Sequence, residues 1–113
     1  MPAPPKIMIQ SKNVKIVVFV PISHAGIVRN AIGEAGAGKI GNYTFCSFSS
    51  VGTGRFRPEE GASPAIGRVG NLESVQEERI ETVCNREILN DVIATIKKVH
   101  PYEEVALDVY PLE

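Results

Sequence analysis

GAGKIGNYTFCSFSSVGTGRFRPEEGASPAIG, residues 36–67, is a glycine-punctuated stretch that predicts four things in succession. Gly36 and Gly38 stop a preceding helix, because only glycine enters the left-handed region freely. Tyr43–Val51, rich in aromatic and hydroxyl residues, predicts a strand. Gly52-Thr53-Gly54 predicts a bend or bulge, with Arg55-Phe56-Arg57 extended as far as Pro58. From Glu59 to Asn71 a loop follows with glycine at 61, 67 and 70. A loop of that length in a compact domain is functional or mobile as a rule, so this stretch is expected to present what the protein recognises.

Outward from it, Val14–Val20 (VKIVVFV) predicts a short β-branched strand ended by Pro21. Val14, Ile16, Val18 and Val20 share one face; Lys15, Val17 and Phe19 share the other. Both faces are apolar enough for a central strand. Ser23–Ala35 predicts a helix with Ser23 as N-cap and an apolar stripe of Ala25, Val28, Ile32 and Ala35. Gly26 and Gly33 weaken that helix, and close packing against a neighbour would account for both. Leu72–Cys84 predicts a third strand, with Glu77-Glu78-Arg79 marking a bulge or a part projecting beyond the sheet. Asn85 caps a second helix, Arg86–Val99, and Val105–Tyr110 is the last strand. The order β-α-β-β-α-β predicts an α+β, ferredoxin-like sandwich: a four-stranded antiparallel sheet with both helices on one face. Val17 and Phe19 then fall on the helix-free face, and sheet-to-sheet self-association is the expected way to cover them.

The chain is expected to form one domain over 14–113 behind a flexible arm, 1–13. Its 113 residues suffice for a single core without staples. A net charge of −1 provides no basic field for nucleic acid or an anionic membrane. No apolar run approaches the ~18 residues of a membrane span, and the proline-rich start does not read as a signal peptide. Cys46 and Cys84 read as free thiols of a reducing cytoplasm, with a disulfide as the alternative.

Two familiar motifs occur out of context. Residues 36–41 match G-x-G-x-x-G, and residues 33–39 match most of a P-loop. Both end a helix instead of opening one, so a C-cap and turn is the better reading. His24, Cys46 and His100 are metal-ligand types without ligand spacing. His100, Tyr102, Glu103 and Glu104 gather acid–base or cation-holding groups in one turn, with a solvated helix-ending turn as the plainer reading. There a helix C-terminus and two glutamates favour a charged His100. Arg55, Arg57 and Arg68 can grip an anion, though Glu59 and Glu60 sit among them. The turn is expected to share a cleft with residues 36–67. Because the second and last strands lie at opposite edges of the sheet, that cleft is expected between subunits.

Residues 36–67, followed by ERIETVC and HPYEEVALDVYPL, closely resemble the inserted domain of the YqfO-type, Nif-three-like dinuclear-metal proteins. The resemblance covers about Lys15 to Leu112, and the HPYE turn is similar to one in CutA-like relatives of the PII-like fold. It implies a CutA-like/PII-like fold, a homo-oligomer with a trimer favoured, and a capping or sensing role. The metal-binding domain of those proteins has no counterpart here, so its chemistry is not carried over. The functional expectation is a non-enzymatic binding or regulatory module for a small ligand or a partner protein. The alternative is a divalent-metal-binding protein of CutA-like type. The cofactor is unknown.

Overall fold

The computed structural model describes residues 11–113. Four strands, β1 (Asn13–Pro21), β2 (Phe48–Phe56), β3 (Glu73–Asn85) and β4 (Leu107–Pro111), form one antiparallel sheet in the order β2-β3-β1-β4. Helices α1 (Ile22–Glu34) and α2 (Leu89–Val99), the latter entered through a 3-10 turn at Arg86–Ile88, complete the α+β plan. Val14, Ile16, Val18 and Val20 of β1 pack with Ala25, Val28 and Ile32 of α1 and Val92 and Ile96 of α2. These side chains leave water almost completely, and the hydrophobic gain scales with that area at ~25 cal/mol per Å².

The predicted boundaries move for identifiable reasons. Helix α1 starts at Ile22, directly after Pro21, and Ser23 is no cap; its hydroxyl bonds His24 Nδ1 at 2.8 Å. The helix ends in a Schellman motif. Gly36, at φ 100°, donates to Gly33 O, and Ala37 donates to Ile32 O. The Gly36 and Ala37 amides thus cap the helix, and Gly38 N–H is spent on Val83 O of β3 at 2.7 Å. Asn85 caps as expected, its side chain accepting from Glu87 N–H at 2.8 Å. Gly33 makes way for Phe45, whose ring a Cβ would strike at 2.0 Å, whereas Gly26 faces only Arg29 at 3.7 Å.

Strand β2 begins at Phe48, five residues later than the sequence predicts, and runs unbroken through Gly52-Thr53-Gly54. Residues 38–46 instead form a loop closed by Cys46 N–H to Gly38 O at 2.8 Å, held to β3 by the Thr82 hydroxyl on Cys46 O at 2.9 Å. Glu77-Glu78-Arg79 is no bulge, because β3 pairs regularly with both neighbours. The three charges diverge. Glu78 pairs with Arg29 of α1, Arg79 pairs with Glu81 on the opposite face, and Glu77 turns toward the cavity described below. The part of β3 that projects is Glu73–Gln76, paired with β2 alone.

The helix-free face differs most from expectation. Val17 is 1% exposed and Phe19 is half-buried. These two residues therefore do not form the open patch predicted: loop 57–66 lines a cavity over Phe19, while Phe48 and Tyr110 stay exposed on the same face. Of the arm expected over 1–13, residues 1–10 lie outside the described residues. Ser11 and Lys12 are tied to the domain by Ser11 N–H to Leu112 O at 3.2 Å and Arg86 N–H to Lys12 O at 2.8 Å.

Candidate functional site

The site begins with the length of one connection. Residues 57–72 join β2 to β3 at the projecting end of that pair. Gly70 N–H bonds Pro58 O at 2.7 Å, so the loop closes on itself at its base. Gly61, Gly67 and Gly70 have φ of 97°, 93° and 86°, a region that costs other residues strain. At Gly67 a Cβ would also meet Glu73 Cγ at 2.5 Å. So folded, the loop leans over the helix-free face. Ser63 N–H reaches Glu103 Oε1 at 2.9 Å.

The second wall is the turn after α2. His100 is its pivot and is only 6% exposed. Its Nε2 lies 2.7 Å from Phe19 O, and its Nδ1 accepts from Tyr102 N–H at 3.1 Å. A ring that gives a proton on Nε2 and receives one on Nδ1 is the neutral tautomer. Burial lowers the His100 pKa below its usual value, against the opposing pull of Phe19 O and Glu77; nearby His24 adds to the lowering. The expectation of a charged His100 is therefore reversed, because desolvation outweighs the helix terminus and the glutamates. Tyr102 packs edge-on against Phe56, centroids 5.7 Å apart. Its hydroxyl is enclosed and meets no hydrogen-bond partner at normal geometry. Burial first, and the neighbouring Glu77 carboxylate second, push the phenol above its ordinary range.

Between the loop, the turn and the sheet lies a cavity of about 490 Å³. Its floor is Phe19, Gly54 and Phe56; its sides include Pro64, Ile66 and Tyr102. Arg55, Arg57, Glu103 and Glu104 line it too, and Arg57 is paired with Glu59 at 2.7 Å. The sequence thus named five lining residues: Arg55, Arg57, Tyr102, Glu103 and Glu104. His100 lies behind the wall as a fixed post, and His24 stands on the first turn of α1. Cys46 is apart, in the loop beside Phe45 and α1. Cys84 is buried, which raises its thiol pKa, and both cysteines are free. Sequence reasoning missed Glu77 and Gly54. The sequence carried no local signal for the pair, because Glu77 meets Gly54 only through the β2–β3 register. Among the described residues no three His, Cys, Asp or Glu side chains converge as a metal cluster.

The cleft was expected between subunits, and one chain forms it. The two edge strands are indeed β2 and β4. Their connections, however, both cross the end of β1, and they meet above Phe19.

The sheet order and the two helices define a small α+β domain of CutA-like architecture carrying an open cavity. The CutA likeness is seen directly against the periplasmic divalent cation tolerance protein CutA of Archaeoglobus fulgidus, with a TM-score of 0.67 at 17% identity over 89% of this chain and 84% of that one. A Bacillus cereus protein related to NIF3 matches with a TM-score of 0.80 and 51% identity, over 94% of this chain and 27% of that one. In sequence the chain is 56% identical over 98 residues to the GTP cyclohydrolase 1 type 2 homolog of Halalkalibacterium halodurans and 52% identical over 99 residues to that of Bacillus subtilis. These alignments take in 87% and 88% of this chain but 26% of each relative, so the chain spans about a quarter of the curated relatives it matches. No family model matches. The chain is a homologue of one segment of these NIF3-related proteins, as its motifs led one to expect. Among the described residues no helix is long and apolar enough to cross a membrane.

Proposed function

We propose that this domain is a non-enzymatic, oligomeric binding or regulatory module that takes a small ligand in the cavity between residues 57–66 and 102–106. The observation that carries the reading is the cavity itself. Its 490 Å³ falls within the ~300–1,000 Å³ of small-molecule sites, and its lining is mostly apolar with a few polar groups aimed inward. The catalytic name borne by the full-length relatives is not assigned to this segment. His100, the natural general base, has both ring nitrogens engaged with backbone, Nε2 on Phe19 O and Nδ1 on Tyr102 N–H.

Self-association is expected at the β2 edge of the sheet. Phe48 and Val51 are exposed on that edge strand, and Phe48, 68% exposed, lies in register with Glu81 and Val17 on the helix-free face. Edge backbone next to exposed aromatics invites a second copy, and the trimer implied by the resemblance is the assembly we favour. Two free thiols suit a reducing cytoplasm. Docking of a partner protein on the same surface would compete with self-association.

The alternative, a divalent-metal-binding protein of the CutA-like type, draws support from the fold and from Glu103 and Glu104 at the cavity wall. His100 does not help it, since a ligating nitrogen would have to release Phe19 O or Tyr102 N–H. A thermal-shift screen with nucleotides, divalent cations and small amphiphiles separates the two, because any ligand that prefers the folded state raises Tm. The proposal expects stabilisation by organic molecules. Stabilisation by divalent cations alone would select the alternative.

A further inference from the structure

Glu77 is the carboxylate in the cavity that no cation neutralises among the described residues. It stands on β3 opposite Pro21 of β1 and Gly52 of β2. Its side chain folds over Gly54, where a Cβ would lie 1.8 Å from its Oε1. It is 9% exposed and, among the described residues, forms no ion pair. The polar group that acts with it is the Tyr102 hydroxyl, which is enclosed, has no hydrogen-bond partner at normal geometry and feels the Glu77 carboxylate. A carboxylate with so little exposure and no cation beside it leaves its charge open to a cationic ligand.

The surroundings say what that something is. Phe19, Phe56 and Tyr102 all line the cavity beside Glu77. Aromatic faces with a carboxylate are the recognition chemistry of an organic ammonium ion, whose charge is attracted to ring faces and to the anion together. Lining carboxylates outnumber guanidinium groups, and Arg57 is already neutralised by Glu59. A divalent metal fits less well: it requires several converging oxygen ligands, and among the described residues no three His, Cys, Asp or Glu side chains, the lining glutamates included, converge in that way. We propose that the cavity is a site for a small organic ammonium ion, with its nitrogen against the Glu77 carboxylate and Tyr102 hydroxyl and its apolar body against Phe19 and Phe56. This rests on the reading of the cavity as a ligand site.

The test titrates the full chain with hexylamine, hexan-1-ol and sodium hexanoate at neutral pH, followed by calorimetry and by backbone amide shifts. The native protein is expected to bind hexylammonium ~10-fold or more tightly than hexan-1-ol, with shifts at Gly54, Glu77 and Tyr102. Glu77→Gln should erase that preference and leave hexan-1-ol binding intact. Tyr102→Phe, which keeps the ring, should reduce the preference without abolishing it and so provides a second variant if Glu77→Gln fails to fold. Equal binding of hexan-1-ol and hexylammonium, or preference for hexanoate, would overturn the ammonium site while leaving a ligand cavity. No amide shift at the cavity with any of the three would overturn both.

Discussion

Replacing Tyr102 by Phe should make the protein more stable, against the usual direction of a mutation at a packed site. The hydroxyl oxygen is enclosed and has no hydrogen-bond partner at normal geometry. An unsatisfied buried polar group costs about 1–3 kcal/mol, and Phe removes it while keeping the ring. The edge-on contact with Phe56 at 5.7 Å and the tilted contact with His100 at 5.1 Å both survive the change. The ~0.5–1.5 kcal/mol of such an aromatic pair is therefore retained, and the net gain is about 1–3 kcal/mol. For a chain of this size that is a rise in Tm of roughly 4 °C or more. Urea unfolding followed by far-ultraviolet circular dichroism is the suitable assay, because the chain has no Trp and the substitution removes one of three Tyr. Both proteins must be compared at one concentration, since association raises apparent stability. The midpoint should rise with m unchanged. A loss of 1 kcal/mol or more would refute the reasoning. It would mean that the hydroxyl donates to Glu77 in solution and that the pair is already satisfied.

The neutral His100 makes the fold acid-sensitive. Its folded pKa lies below the unfolded value of ~6.5, so its contribution is complete above that pH and is lost as pH falls through the folded pKa. Unfolding free energies from urea titrations between pH 7 and pH 5 should fall by at most ~1.4 kcal/mol per pH unit from this group, and His100→Gln should flatten that window. Gly38→Ala should cost about 2–4 kcal/mol by thermal unfolding, because its φ is 77° and the added Cβ would lie 2.5 Å from Cys46 O. Phe48→Glu, on the exposed edge strand, should shift sedimentation toward monomer with little loss of far-ultraviolet signal; an unchanged oligomer would exclude this surface. In the loop, the Ser63 and Gly70 amides should exchange more slowly than that of Gly61, which donates to no acceptor among the described residues; equal rates at all three would dissolve the loop geometry.

The sheet, both helices and the inward face of β1 could be read from the sequence, because each rests on local periodicity. Alternating Val14, Ile16, Val18 and Val20 named the core, and Asn85 named a cap that the structure confirms. What local pattern could not give was long-range placement. Phe45 looked like strand, but Gly33 lies a helix away and offers its ring a seat. Gly52-Thr53-Gly54 looked like a bend; it is regular strand, and Gly54 is small because Glu77 lies over it. Phe19 looked exposed since nothing in the sequence says that loop 57–72 leans over that end of the sheet. The lining residues at 55, 57 and 102–104 were legible as chemical types in unusual places. Their convergence was assigned to two chains because edge strands were treated as fixing where their loops go. The histidine was misjudged for one reason: dipole and neighbouring charge are visible in a sequence, and burial is not.

The central claim is that a single chain builds the cavity, and one measurement addresses it directly. Mix uniformly ¹³C-labelled and unlabelled protein, let the subunits exchange, and record isotope-filtered NOE spectra of the aromatic rings. The account predicts strong Phe56–Tyr102 cross-peaks within labelled chains, from rings 5.7 Å apart, and none between labelled and unlabelled chains. Cross-peaks that arise only between chains would contradict it and return the cleft to a subunit boundary.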